Sequence, residues 1–158
     1  MPTAHDFSAK TIDGQDKKLS DYAGQVLLVV NVASECGLTP QYKGLEALNK
    51  RLRERGLRVL GFPANEFGAQ EPGTNEQIKA FCTSKFDVSF DMFGKVVVKG
   101  AGIHPLFDWL TKETGGEIKW NFGKFLIGKK GEILARFEPK VEPESPEVVQ
   151  AIEKALAQ

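Results

Sequence analysis

The sequence has only two cysteines, Cys36 and Cys82, in 158 residues. That is too few for the disulfide framework of a small secreted scaffold, and a chain of this length buries enough surface to fold without one. There is no excess of either charge, since 21 Lys and Arg balance 21 Asp and Glu. A zero net charge removes the basic field of a general nucleic-acid or acidic-membrane binder, so neither partner is expected. No apolar run approaches the roughly 18 residues of a membrane span, and no stable membrane association is expected. The N-terminal stretch carries Asp6, Lys10, Asp13 and Asp16 without a continuous apolar segment, so it does not read as a secretory signal and the expected location is cytoplasmic. The two histidines, His5 and His104, are isolated, which leaves no metal-ligand spacing and no expected metal or cofactor.

What is present reads as one α/β domain over residues 1–158, with no repeat, linker or low-complexity tract. Asp13-Gly14 is a hairpin-turn signal between two short N-terminal strands. Val26–Val32 is a nearly unbroken aliphatic run, as expected of a central strand covered on both faces. Thr39-Pro40 is read as a cap and first helical position, followed by Leu45, Leu48 and Leu52 at helical spacing up to Gly56. A second aliphatic run from Leu57 completes a parallel βαβ unit. Thr74 and Gln77 form a capping box for another helix. Val96-Val97-Val98 is a short strand candidate, and His104-Pro105 opens a third helix. Strands at Lys124–Ile127 and Ile133–Phe137 then precede a last helix capped by Ser145-Pro146-Glu147. This order predicts a thioredoxin-like fold: a central mixed sheet flanked by helices, with an N-terminal hairpin.

Cys36 falls between the central strand and the first helix, the crevice where open α/β sheets bind ligands and where unpaired N–H groups favour anions. A reactive thiol and an inert buried one both suit that position. Cys82 shares a helical face with Ile78 and Phe81, which suits core packing as well as chemistry. The fourth position of a Cys-x-x-Cys dithiol is Thr39, so no adjacent resolving thiol exists. A Cys/His hydrolase would need His104, but its place before Pro105 equally suits a helix start.

Three segments carry a resemblance: Asn31-Val32-Ala33-Ser34-Glu35-Cys36-Gly37, the stretch from Gly61 to Gly73 that includes Gln70-Glu71-Pro72-Gly73, and Trp120-Asn121-Phe122-Gly123-Lys124-Phe125-Leu126. In order and spacing they resemble the glutathione peroxidases, with weaker similarity from about Phe7 onward. The resemblance implies a thiol-dependent peroxidase of hydrogen peroxide and organic hydroperoxides. Its catalytic residues would be Cys36, Gln70, Trp120 and Asn121. The Cys36 thiolate would attack the peroxide oxygen and become a sulfenic acid, with the other three as uncharged hydrogen-bond donors. Cys82 matches the resolving cysteine of thioredoxin-dependent, two-cysteine members. The helix from Thr74 would then have to unwind locally for sulfurs 46 positions apart to meet.

Two positions depart from the common pattern: Ala64 stands where many members have Cys, and Glu66 where many have Gln. Ala64 removes a rival resolving thiol. Only 13 residues separate Leu106 from Trp120, so the insertion that builds the interface of tetrameric relatives is missing and a monomer is expected. A resolving cysteine and a short connection together favour thioredoxin over glutathione as reductant. A peroxide sensor or relay passing oxidation to a partner protein would begin with the same chemistry. A peroxiredoxin fits less well, because Ala33 stands where that family's Thr belongs.

Overall fold

The structure is a computed structural model describing residues 1–158. Its elements are β1 (Ser8–Lys10), β2 (Asp16–Lys18), β3 (Val26–Val32), α1 (Gln41–Leu52), β4 (Leu57–Pro63), α2 (Asn75–Phe86), β5 (Asp91–Met92), α3 (Pro105–Glu113), β6 (Lys124–Ile127), β7 (Ile133–Phe137) and α4 (Pro146–Leu156). β1 and β2 form a separate antiparallel hairpin, and the main sheet runs β5-β4-β3-β6-β7. β3 pairs parallel with β4 and antiparallel with β6, so the sheet is mixed.

All seven residues of β3 are buried, which explains why they read as an uninterrupted apolar run. Strand alternation divides them between two cores. Val26, Leu28, Val30 and Val32 face α1, α2 and α4, whereas Leu27 and Val29 face α3 and the N-terminal segment. Cys36 and Cys82 both belong to the first core, and both thiols are free. The expected capping box of α2 is present, with Thr74 Oγ1 accepting from Gln77 N–H and Gln77 Oε1 accepting from Thr74 N–H.

Three local expectations are corrected. No strand forms at Val96-Val97-Val98, because its donors go to unrelated acceptors: Val96 N–H to the Pro63 carbonyl at 2.9 Å and Val98 N–H to Glu66 Oε1 at 2.7 Å. The edge strand is β5, two residues long. Thr39 does not cap α1, and Pro40 occupies the cap position. The Thr39 hydroxyl is already engaged, accepting from Cys36 N–H at 2.9 Å and donating to the Ala33 carbonyl at 2.8 Å. Ser145 precedes α4 without a side-chain capping bond.

Candidate active site

Three loops meet at the C-terminal end of β3. The first, residues 33–39, is wound tightly by Thr39, whose N–H also donates to the Cys36 carbonyl at 3.0 Å. Cys36 is thereby held 7% exposed, and its Sγ accepts one hydrogen bond, from Leu38 N–H at 3.3 Å. The second loop follows β4 and is stitched to the first by Glu35 N–H donating to the Gln70 carbonyl at 3.0 Å and Ser34 N–H donating to Glu71 Oε1 at 3.1 Å. Gly68 and Ala69 adopt φ of 69° and 52° just before Gln70. Glycine suits position 68 in space as well as conformation, since a Cβ there would lie 3.1 Å from Trp120 Cη2 and push the indole aside by a few tenths of an ångström.

The third loop, residues 120–123, is clasped by Asn31, the one polar residue in β3. Asn31 Nδ2 donates to the Trp120 carbonyl at 3.1 Å, and the Asn31 carbonyl accepts from Phe122 N–H at 2.6 Å. Phe122 has φ of 70°, a strained conformation for a bulky residue. Its carbonyl is held by the fully buried Lys124 ammonium at 2.7 Å, which also reaches the Pro139 carbonyl at 3.2 Å. Burial pulls the Lys124 pKa down to about 8, with Glu142 acting in the opposite direction.

Gln70 and Asn121 come together directly: Asn121 Nδ2 donates to Gln70 Oε1 at 3.0 Å. This spends the Gln70 oxygen and leaves its amide N–H groups as donors. Trp120 is 37% exposed, tilted against Phe67 with centroids 5.9 Å apart. Neither Gln70, Trp120 nor Asn121 hydrogen-bonds to Cys36 Sγ. Such contacts commonly tighten only when substrate arrives.

Cys82 stands apart from this group, 2% exposed on the inner face of α2. Burial pushes its thiol up to about 11; the facing Tyr42 hydroxyl opposes that and Glu71 adds to it. The Tyr42 hydroxyl is itself buried without completing a hydrogen bond. Burial likewise pushes the Glu71 carboxyl up to about 7, against the Ser34 hydrogen bond. Glu66 is occupied with Val98, and His104 caps α3, its Nδ1 accepting from Leu106 N–H at 3.1 Å. Asn31, Glu71 and Lys124 lie within the three motifs, but the sequence alone assigns them no task. Only Asn31 carried a local signal, as a polar break in an aliphatic strand.

The glutathione peroxidase family model matches residues 4–111. The chain belongs to the glutathione peroxidase family. This family is one of oxidoreductases acting on peroxides. The glutathione peroxidase relatives include the hydroperoxy fatty acid reductase Gpx2 of Synechocystis, 50% identical with 94% of this chain and 96% of that protein covered. The thioredoxin/glutathione peroxidase BtuE of Escherichia coli is 45% identical, with 94% of each chain covered. The crystal structure of Trgpx in its apo form matches with a TM-score of 0.82 at 37% identity, covering 99% of this chain and 97% of that one. A thioredoxin-family thiol:disulfide interchange protein from Chlorobium tepidum, at TM-score 0.72 and 18% identity over 95% and 92% of the two chains, shows the shared thioredoxin-like fold. No helix is long and apolar enough to cross a membrane.

Proposed function

We propose that residues 1–158 form one catalytic domain that reduces hydrogen peroxide and organic hydroperoxides through Cys36. The observation that carries this reading is the Cys36 turn tied to Gln70 by the Glu35 backbone, with Gln70 in turn paired to Asn121. The Cys36 thiolate attacks the terminal peroxide oxygen; the O–O bond breaks, the sulfenic acid forms, and the departing oxygen leaves as water or alcohol. Gln70 amide, Trp120 indole and Asn121 amide groups are donors for the departing oxygen, which carries developing negative charge. Cys82 then resolves the sulfenic acid to a Cys36–Cys82 disulfide after α2 opens.

Thioredoxin is the proposed reductant, in keeping with the name of the BtuE relative and with the free Cys82 thiol. The fatty acid hydroperoxides named for the Synechocystis relative are the proposed organic class. The chain acts as a monomer in the cytoplasm.

Steady-state peroxide consumption with thioredoxin and its reductase, or with glutathione and its reductase, tests the reading. Cys36→Ser is expected to lose turnover with both donors. Cys82→Ser is expected to lose thioredoxin-dependent turnover while still consuming one equivalent of peroxide. Full activity in Cys36→Ser would end the proposal, and faster turnover with glutathione would reassign the donor.

A further inference from the structure

Glu71 is a buried carboxyl that the peroxide-reducing step does not use. It has no exposed surface, and its backbone N–H is fixed by Asn65 Oδ1 at 2.8 Å. Oε1 takes the Ser34 N–H at 3.1 Å, two residues before Cys36, but Oε2 has no hydrogen-bond partner. A buried carboxyl oxygen left bare is costly and calls for a reason. Glu71 lines a cleft of about 340 Å³ with Ser34, Gly73, Ile78 and Phe81. One wall is therefore the turn carrying Cys36, and the other is the helix carrying Cys82.

We propose that Glu71 is the acid–base group of the resolving step, taking the proton of the Cys82 thiol and returning it to the hydroxide that leaves Cys36. This rests on the two-cysteine cycle above. Cys82 enters as a thiol whose burial opposes ionisation, so it needs a local base before it can attack. As α2 opens, the Glu71 carboxylate accepts that proton, and the Cys82 thiolate attacks Cys36 Sγ. The S–S bond forms, the S–O bond breaks, and the leaving hydroxide takes the proton from Glu71 as water. A sulfenic acid and a thiol become a disulfide and one water, and the carboxylate is restored with no outside oxidant or reductant.

The groups in electrostatic reach of Glu71 are Ser34 and Glu35 on the Cys36 turn, Lys95 after β5, Tyr42 on α1 and Cys82 on α2. Glu35 and Lys95 pull in opposite directions, and burial outweighs both, which leaves the carboxyl titrating near neutrality as an acid–base catalyst requires.

Rapid mixing with one equivalent of hydrogen peroxide, with timed sulfenic-acid trapping and peptide mass spectrometry, separates Cys36 oxidation from disulfide formation. Glu71→Gln keeps an acceptor for Ser34 N–H but cannot take a proton. Its ratio of disulfide-forming rate to Cys36 oxidation rate is expected to fall at least tenfold, to the order a lost general base implies, with partial recovery in Glu71→Asp. An unchanged ratio overturns the proposal. If Glu71→Gln does not fold, wild type decides: its disulfide-forming rate should rise with pH and level off above about pH 7. A continued tenfold climb per pH unit toward the thiol's own range overturns it. Wild type that forms the sulfenic acid but no Cys36–Cys82 disulfide overturns the two-cysteine cycle, and the role of Glu71 with it.

Discussion

A buried ammonium costs folding free energy, and Lys124 spends that cost on holding the Phe122 carbonyl beside Asn121. Lysine has a normal pKa of 10.5, and burial lowers it here to about 8. Below about pH 8 the native state carries the buried charge; between about 8 and 10.5 it binds fewer protons than the unfolded chain, so this residue's contribution to stability rises with pH across that window. The difference in unfolding free energy between wild type and Lys124→Met, measured by denaturant melts, should therefore grow in favour of wild type from pH 8 to 10.5. A flat difference would show that Lys124 is not charged and buried as described. At neutral pH, Lys124→Met should slow Cys36 oxidation by about tenfold as the Asn121 turn loosens, with Lys124→Arg recovering part of the rate. At this scale the sequence pointed to the proposed reacting groups but not to their supports. Cys36, Gln70, Trp120 and Asn121 were legible because their segments match a family pattern. Lys124 and Glu71 were opaque because burial of a charged side chain depends on what folds over it, here the Pro139 segment and α2 respectively.

Among the elements, the proposed cycle asks α2 to yield. Of its 12 residues only Ile78 and Cys82 are buried, and it ends at Asp87 with a φ of 49°, an uncommon left-handed conformation for a residue other than glycine. Its start is secured by the Thr74–Gln77 capping box and by Lys79, which pairs with Asp13 of the hairpin turn at 2.6 Å. The ion pair is exposed and contributes little, whereas losing a threonine cap costs about 1 kcal/mol, a factor of about five in an opening equilibrium. Thr74→Ala is accordingly expected to speed disulfide formation by a few-fold after peroxide addition and to raise hydrogen exchange at α2 amides. Unchanged exchange and rate would mean that the helix start does not take part in opening. Long periodic elements such as β3 and α4 were readable from pattern alone, as was the capping box. The Val96-Val97-Val98 stretch misled because β-branched composition says that a segment suits extended backbone, not that a neighbouring strand offers it a ladder.

The whole molecule presents little apolar surface. Its large exposed hydrophobic residues are Met1, Trp120 and Leu134, and the proposed monomer is tested directly by mass. Sedimentation of the reduced protein should give a single species near 17.4 kDa, and a larger mass at micromolar concentration would refute the monomer. The overall architecture was legible because alternating strands and helices, parallel pairing and punctuation at glycine and proline all point to one topology. How three loops far apart in sequence converge was not, since their contacts are a few individual hydrogen bonds, such as Glu35 N–H to the Gln70 carbonyl and Asn121 Nδ2 to Gln70 Oε1, with no periodic pattern.

Asn31 gives that convergence a further property. β3 leads directly into the turn bearing the thiol, and the same strand grips the loop bearing Trp120 and Asn121 through Asn31. Two parts of the site thus share one origin of measurement, the most buried strand in the molecule. Both parts are therefore referenced to one strand end rather than to two separately anchored elements. The relative placement of Cys36 and the Trp120–Asn121 loop is thus set by a few residues at one strand end.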